Sequence, residues 1–255
     1  MTVLQAIILG IIQGITEFLP VSSSGHLLVI PRFFDWGVQG LDFDVAVHIA
    51  TLGAILVALR ADVMRMLRTP RLLALVGLGT VPVVAFGLFM PDSLLLGLRT
   101  PLFVSVSLIF WGIVLIVADG IARHHRSLPA LFRIQWGKAF FIGCAQVIAL
   151  IPGTSRSGVT MSAGMLSGLS REDAARFAFL LAIPAIAGAG LLTFIDAMQV
   201  GFSTSFDVLL SGMIAAFVSG LLAIRLLLIV AQKAGFLWFG VYRIVLAGLI
   251  ILFIL

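Results

Sequence analysis

Charged residues and cysteine are both scarce in this chain of 255 residues. Only 11% of the residues are Asp, Glu, Lys or Arg, whereas 61% are hydrophobic. A water-soluble domain needs more polar surface than this, so we expect most of the surface to face lipid. The single cysteine, Cys144, excludes an internal disulfide and gives no support for a redox or metal-cluster role.

The N-terminal stretch lacks a basic region. "MTVLQAIILGIIQG" contains no Lys or Arg, so we do not expect a cleaved signal peptide. The net charge of +5 raises the question of nucleic-acid binding, but the basic residues stand mainly in short loops between apolar runs. This distribution is typical of the orientation signal of a membrane protein and not of a polyanion-binding face.

Long apolar runs are what the chain has in quantity. A run of about 20 residues crosses a hydrocarbon layer of about 30 Å as a helix. Six runs have this character: 43–59, 72–90, 101–118, 173–195, 207–231 and 236–255. The sequence therefore predicts an all-α polytopic membrane protein with six transmembrane helices.

Two further apolar regions, 2–31 and 137–168, are interrupted by polar turns. "PVSSSG" (20–25) breaks the first region, and "PGTSRSG" (152–158) breaks the second. Irregular backbone at membrane depth is stable only where protein or water satisfies its polar groups. We therefore expect both regions to be re-entrant helical hairpins with polar tips.

The order of these segments repeats within a single membrane domain. A hairpin and three spans fill residues 1–118, and a second hairpin and three spans fill residues 137–255. "GIIQGITEFLPVSSSGH" (10–26) and "GCAQVIALIPGTSRSGV" (143–159) share Gly-x-x-Gln, a proline and a Ser/Thr-rich turn closed by Gly. Because a hairpin returns to its starting side and three spans cross over, the second copy is expected to be inverted. The two tips would then meet near the midplane and form an intramembrane site.

Basic residues predict the orientation. Eleven lie on one side of the membrane and two on the other side, which makes the first side cytoplasmic. The eleven are Arg60, Arg65, Arg68, Arg71, Arg123, Arg126, Arg133, Lys138, Arg171, Arg176 and Lys233, and the two are Arg32 and Arg99. Arg225 and Arg243 fall near cytoplasmic ends of spans, where we expect them to snorkel to the interface. The first hairpin and both termini then face outward.

Ionisable and hydroxyl side chains concentrate in the two hairpins. Gln13 and Glu17 share one helix face, and a carboxylate in hydrocarbon is costly enough to indicate a function and a partner such as Arg156. Each tip precedes a short helix whose free N–H groups attract anions, and arginine suits bidentate phosphate contact. The residues expected around a phosphate group are Gln13, Ser22, Ser24, Gly25, Gly153, Thr154, Ser155, Ser157 and Gly158. The alternative is that these small residues only allow close helix packing.

The motifs "QGITEFLPVSSSGH" and "PGTSRSG" resemble the signature stretches of the undecaprenyl-diphosphate phosphatase family, also called bacitracin-resistance proteins. The resemblance covers nearly the whole chain and implies a bacterial inner-membrane hydrolase. Such an enzyme removes the terminal phosphate of undecaprenyl diphosphate, recycles the lipid carrier for cell-wall synthesis and gives bacitracin resistance. The resemblance also implies a homodimer and a divalent cation, Mg²⁺ or Ca²⁺, for which Glu17 is the one obvious carboxylate ligand.

A mechanism follows as a hypothesis. Ser23 is the preferred nucleophile, Glu17 or His26 is the proton acceptor, and Arg156 holds the terminal phosphate. His26 as the direct nucleophile stays open, and so do two other classes of function. A transporter of an anionic polyprenyl phosphate lipid would use the same architecture without chemistry, and a structural subunit would need none of these side chains.

Overall fold

The computed structural model describes residues 1–37, 40–89, 97–123, 134–201 and 204–254. Within these ranges the secondary structure consists of α-helices and one short 3₁₀ helix. The α-helices are α1 (Val3–Phe18), α2 (Ser23–Phe33), α3 (Leu41–Ala58), α4 (Arg60–Arg68), α5 (Pro70–Phe89), α6 (Pro101–Ala122), α7 (Trp136–Val147), α8 (Arg156–Leu166), α9 (Arg171–Val200), α10 (Phe206–Lys233) and α11 (Leu237–Ile254). A short 3₁₀ helix, Ile148–Leu150, follows α7.

The long apolar helices confirm the polytopic fold. Within the described ranges, six helices are long and apolar enough to cross a membrane, and they coincide with the six predicted spans: Leu41–Ala58, Pro70–Phe89, Pro101–Ala122, Arg171–Gln199, Phe206–Lys233 and Leu237–Ile254. The two predicted hairpin regions contain pairs of shorter helices, α1 with α2 and α7 with α8. The predicted span ends at 90 and 255, and the loop residues Arg126 and Arg133, lie outside the described residues.

The helical conformation stops just before a proline in each short pair. Helix α1 ends at Phe18, two residues before Pro20, and the 3₁₀ helix that follows α7 ends at Leu150, two residues before Pro152. Leu19 (φ −70°, ψ 144°) and Ile151 (φ −74°, ψ 126°) are both extended. A proline disfavours helical conformation at the preceding residue, so the chain leaves the helix there. Residues 19–22 form the first tip, and residues 151–155 form the second tip.

The second helix of each pair begins in the same way. The N-cap residues Ser22 (φ 78°, ψ 96°) and Ser155 (φ 71°, ψ 109°) both have a positive φ that is uncommon outside glycine. The Ser22 hydroxyl accepts a hydrogen bond from the Gly25 N–H (3.4 Å), and the Ser155 hydroxyl accepts one from the Gly158 N–H (3.1 Å). The two tips therefore present helix N-termini with the same backbone conformation and the same cap.

Helix α1 packs closely along α10 through glycines. A Cβ atom at Gly10 would lie 3.1 Å from the carbonyl carbon of Gly212, and one at Gly14 would lie 2.8 Å from the nitrogen of Gly220. Small residues let backbones approach in this way, as is common between membrane helices. Because residue numbers rise together along both contacts, α1 and α10 run in the same direction.

The corresponding helix of the second half, α7, packs on α5. A Cβ atom at Gly143 would lie 2.6 Å from the Cα atom of Gly79. Between these helix pairs, Phe18 at the end of α1 packs edge-to-face on Phe179 of α9, with ring centroids 5.9 Å apart. The central span α9 thereby supports the first tip from the interior of the protein.

Buried ion pairs tie helix ends together on the predicted cytoplasmic side. The Asp119 carboxylate at the end of α6 accepts hydrogen bonds from Arg171 Nε (2.7 Å) and Nη2 (2.9 Å) and from the Phe236 N–H (2.7 Å). Asp62 of α4 pairs with Arg176 of α9. Arg171 and Arg176, two of the predicted cytoplasmic arginines, therefore hold helices together.

Candidate active site

The two tips touch each other directly. The Ser157 hydroxyl, in the first turn of α8, donates to the main-chain carbonyl of Leu19 (3.0 Å). The Gly153 N–H of the second tip donates to the Ser24 hydroxyl of α2 (3.5 Å). Segments more than 120 residues apart in the chain thus form one polar centre.

Glu17 lies at the middle of this centre and joins the two pairs of short helices. Its Oε1 accepts a hydrogen bond from Arg156 Nη2 (3.0 Å), and its Oε2 accepts from the Ser23 hydroxyl (3.0 Å) and from Gln13 Nε2 (3.1 Å). The Glu17 side chain is 9% exposed. A buried carboxylate needs this kind of compensation, because an unpaired charge in a low-dielectric interior is costly.

Two polar atoms beside Glu17 have no protein partner. Arg156 Nη1 and Gln13 Oε1 are buried, and neither makes a hydrogen bond within the described part of the chain. Such atoms are rare in folded proteins and call for a bound water, ion or ligand. The free N–H donors of Arg156 suit a phosphate oxygen, whereas the Gln13 oxygen suits a donor or a hard cation.

Five of the six hydroxyls expected around a phosphate hold the tips themselves. They cap the helices, join the two tips, or, at Thr154, contact the Ser107 hydroxyl of α6 at 3.4 Å. These five are Ser22, Ser24, Thr154, Ser155 and Ser157. The hydroxyl of Ser23, the first residue of α2, donates instead to the Glu17 carboxylate. Ser23 therefore differs chemically from its neighbours.

His26 belongs to a separate hydrogen-bonded pair. Its Nδ1 donates to the Ser22 carbonyl (2.7 Å), since a carbonyl only accepts, and its Nε2 accepts from the Tyr242 hydroxyl (2.7 Å). The two rings are parallel, with centroids 5.7 Å apart. Both ring nitrogens are thus engaged, and neither of these bonds leads to Glu17 or Ser23. His26 fastens α2 to α11 in this arrangement.

Arg243 is fully buried behind the tips, so the prediction that it snorkels to the interface is wrong. It donates to four main-chain carbonyls: those of Leu108 (3.4 Å), Pro20 (3.4 Å), Gly153 (2.9 Å) and Thr154 (2.8 Å). The side chain turns inward because the tips offer acceptors that lipid does not have. Arg225, by contrast, is exposed on α10.

Sequence reasoning missed Tyr242, Arg243 and Ser107. One signal was available for Arg243, because an ionisable residue inside an apolar run is a functional candidate by default. Tyr242 is the only tyrosine of the chain, but no motif connects it with His26, which lies 216 positions earlier. Ser107 lies in an ordinary span and has no distinguishing pattern.

The site offers few ligands for a metal. In the part of the chain that the structure describes, no three His, Cys, Asp or Glu side chains converge. The Glu17 carboxylate and the unpartnered Gln13 Oε1 nevertheless supply two oxygen ligands on one helix face. Hard cations prefer such ligands, and Mg²⁺ commonly takes the rest from phosphates and water. The residues present therefore fit a cation that arrives with a diphosphate.

Comparison of the sequence with a family model and with individual known proteins gives the same family in each case. The sequence model of the family described as "Bacitracin resistance protein BacA" matches residues 6–249. The chain is 42% identical to an undecaprenyl-diphosphatase of Alteromonas mediterranea, over 100% of this chain and 99% of that protein. It is 41% identical to an undecaprenyl-diphosphatase of Thermodesulfovibrio yellowstonii, over 97% and 96%, and 40% identical to undecaprenyl-diphosphatase 2 of Stutzerimonas stutzeri, over 99% of both. None of these names favours a transporter.

Proposed function

Because the chain belongs to the bacitracin resistance protein BacA family, we propose that it hydrolyses undecaprenyl diphosphate to undecaprenyl phosphate and inorganic phosphate. The observation that carries this function is the array in which Glu17 bonds at once to the hydroxyl of Ser23 and to the guanidinium of Arg156. A hydroxyl beside a base and a free phosphate-binding donor is the arrangement that nucleophilic phosphoryl transfer requires.

Ser23 is the nucleophile in this mechanism. Its Oγ attacks the terminal phosphorus, its proton passes to Glu17, and the bond from that phosphorus to the bridging oxygen breaks. The electron pair of that bond leaves with undecaprenyl phosphate. Water then attacks the phosphorus of the phosphoserine and the bond from that phosphorus to Ser23 Oγ breaks. Glu17 returns its proton to Oγ, which restores the hydroxyl, and the inorganic phosphate keeps the protons of the water. The 3.0 Å hydrogen bond between Ser23 and Glu17 supports this assignment.

Arg156 and the two helix N-termini hold the terminal phosphate. The buried Nη1 of Arg156 donates to an equatorial oxygen, while Nη2 stays on Glu17 and keeps the base in place. The N-termini of α2 and α8 add their partial positive charges. Together these groups oppose the charge that develops on the transferring phosphoryl group.

Glu17 and Gln13 would hold a divalent cation, Mg²⁺ or Ca²⁺, whose other ligands come from the diphosphate and from water. When bound, the cation supplies further positive charge against the diphosphate oxygens. The support is the unpartnered, buried Gln13 Oε1 beside the Glu17 carboxylate.

The inverted repeat and its location are part of the same proposal. Both tips carry equivalent caps, and each first short helix packs on the middle span of the opposite half, α1 on α10 and α7 on α5. These features support two re-entrant hairpins that meet within the bilayer of a bacterial inner membrane. The basic-residue asymmetry supports access to the site from the outer, periplasmic face. The protein is also expected to be a homodimer, which light scattering in detergent measures.

Purified protein in detergent tests the function. No membrane separates two compartments there, so phosphate release requires hydrolysis and cannot result from transport. Wild-type protein should release inorganic phosphate from undecaprenyl diphosphate in the presence of Mg²⁺ or Ca²⁺. Arg156→Lys should lower kcat by about 10³-fold, by analogy with other arginines that stabilise phosphoryl transfer.

Arg32→Lys provides the matched control, since Arg32 is an exposed arginine near the end of α2. This variant should keep the wild-type rate. Wild-type protein that binds the lipid and releases no phosphate would contradict the proposed hydrolysis and favour a carrier.

A further inference from the structure

We infer that Arg243 is a positioning residue for this reaction: it fixes the two tips relative to each other, so that Glu17 and Arg156 face the same phosphate group. The inference rests on the proposed function, because positioning is defined by the reaction that it serves. Arg243 bonds to carbonyls of both tips and lies on α11, outside both hairpins.

The main-chain carbonyls of the two tips explain why the charged side chain of Arg243 is buried here. The tips are irregular backbone, and carbonyls that leave a helix inside a membrane protein must find a donor within the protein. Pro20 contributes one such carbonyl from the first tip, and Gly153 and Thr154 contribute two from the second. A single guanidinium satisfies all three, and the Leu108 carbonyl of α6 receives its Nε–H.

Because the Arg243 guanidinium is rigid, it fixes the separation of the two tips as well as donating hydrogen bonds to them. Its N–H groups form a rigid planar fork, unlike the single ammonium of lysine. Nη1 points at the first tip and Nη2 at two successive carbonyls of the second tip. The width of the fork therefore sets the distance between the two tips, and with it the distance between Ser23 and Arg156, the first residues of the helices that follow them.

The charge of Arg243 adds to this role. Among the described residues no carboxylate pairs with it, so carbonyl dipoles alone compensate the guanidinium. The group also lies against the first turn of α8, since a Cβ atom at Gly158 would come within 2.8 Å of Arg243 Nη1. A positive charge at this place strengthens the field of the helix N-terminus that faces an anionic head group.

Arg243→Lys and Arg243→Met test the inference, with Arg225→Lys and Arg225→Met as matched controls on the exposed arginine of α10. Phosphate release, KM for undecaprenyl diphosphate, and thermal unfolding are measured for each variant. Arg243→Lys keeps the charge and loses the fork, so kcat should fall by about 100-fold with a small change in KM, as expected when reacting groups are misplaced by about 1 Å. The Arg225 variants should stay within about twofold of wild type.

A double-mutant cycle with Arg156→Lys separates positioning from general stability. If Arg243 acts by placing Arg156, the double variant should be no slower than Arg156→Lys alone. If the loss comes from fewer folded molecules, the two fold-losses should multiply. Multiplying losses, or an Arg243→Lys variant with wild-type kcat, would overturn the inference.

Gly158→Ala gives a second route should the Arg243 variants fail to fold. The added methyl would lie 2.8 Å from Arg243 Nη1, its nearest neighbour, and 3.2 Å from the Ser155 hydroxyl, so the guanidinium must shift most. The tip carbonyls themselves are not altered by this substitution. It should lower kcat and show the same lack of additivity with Arg156→Lys, and a wild-type rate in this variant would count against the positioning role. The proposed function and the inference can fail independently. If wild-type protein releases no phosphate, the proposed function is wrong. If wild-type protein is active and the Arg243 and Gly158 variants are equally active, only the inference is wrong.

Discussion

At the scale of single residues, the polar side chains of the site differ in the groups that they contact. Ser23 bonds to Glu17, while the other tip hydroxyls cap helices or join the tips. His26 has both ring nitrogens occupied, by the Ser22 carbonyl and by the Tyr242 hydroxyl. The geometry thus supports Ser23 with Glu17 over His26 as the reacting pair.

The nature of the phosphoenzyme tests this assignment. We expect enzyme quenched during turnover to carry an acid-stable phosphoserine at Ser23, because the Ser23 hydroxyl donates directly to a carboxylate. Ser23→Ala should lose at least about 10³-fold in kcat, in the range seen when a nucleophile is removed. Mass spectrometry of the acid-quenched protein identifies the modified residue. An acid-labile adduct on His26, or near-normal turnover of Ser23→Ala, would contradict the assignment.

The Tyr242 hydroxyl gives a milder prediction. Tyr242→Phe removes one hydrogen bond to His26 Nε2 and leaves the Glu17 array intact. We expect a loss of about 1 kcal/mol in stability and less than about tenfold in kcat. Thermal unfolding and phosphate release measure the two effects. A loss as large as that of Ser23→Ala would show that His26 takes part in the chemistry.

At the scale of helices, close glycine contacts position the short helices α1 and α7. Gly14 of α1 lies against α10, and Gly143 of α7 lies against Gly79 of α5. In lipid, where hydrophobic burial gives little drive between helices, this close packing is the main source of association. The position of Glu17 therefore depends on a helix contact one turn away.

Gly14→Ala is expected to disturb that contact. The new methyl would lie 2.8 Å from the nitrogen of Gly220, so α1 and α10 must separate. Overpacking of this kind costs about 1–3 kcal/mol. Thermal unfolding in detergent should show a lower midpoint, and phosphate release should fall with it.

Gly77→Ala on α5 is the control for Gly14→Ala, because no neighbouring atom of the described residues lies within 4 Å of a Cβ atom there. This variant should be as stable as wild type or slightly more stable, since alanine favours a helix by up to about 1 kcal/mol over glycine. Equal destabilisation of both variants would mean that helix propensity, and not packing, accounts for the effect.

At the scale of the whole molecule, the membrane orientation remains a prediction from charge. The basic residues that place one side in the cytoplasm include Arg171 and Arg176, which also pair with Asp119 and Asp62. Arginines with a structural partner still contribute to the positive-inside asymmetry, because the rule acts during insertion. The asymmetry therefore keeps its predictive value.

Reporter fusions test this orientation. Alkaline phosphatase fused after the C-terminus should be active, since both termini are expected outside, and the same enzyme inserted in the basic loop between α6 and α7 should be inactive. Fluorescent protein fused at the same two places should give the opposite pattern. A fluorescent C-terminal fusion would show that the orientation is opposite to the predicted one and that the site is reached from the cytoplasmic side.

The fold was predictable from the sequence because it depends on local chemistry. Apolar run length fixes which segments can span, and the prolines after Leu19 and Ile151 fix where α1 and the 3₁₀ helix behind α7 stop. The candidates Glu17, Ser23 and Arg156 were also recognisable, since ionisable and hydroxyl groups at membrane depth are costly and concentrate at sites.

Tertiary structure decided which of these candidates meet and which support them. Glu17 and Arg156 are 139 positions apart, and Arg243 lies 223 positions from Pro20, so no local pattern specifies either contact. From the sequence, Arg243 is a charged residue near the end of a span and is expected at the membrane interface. Its side chain points inward because the tip carbonyls lie there. The sequence by itself determined the spans, the broken helices and the reactive groups, whereas the three-dimensional packing of distant helices decided their partners, because a hydrogen bond depends on where its acceptor lies in space.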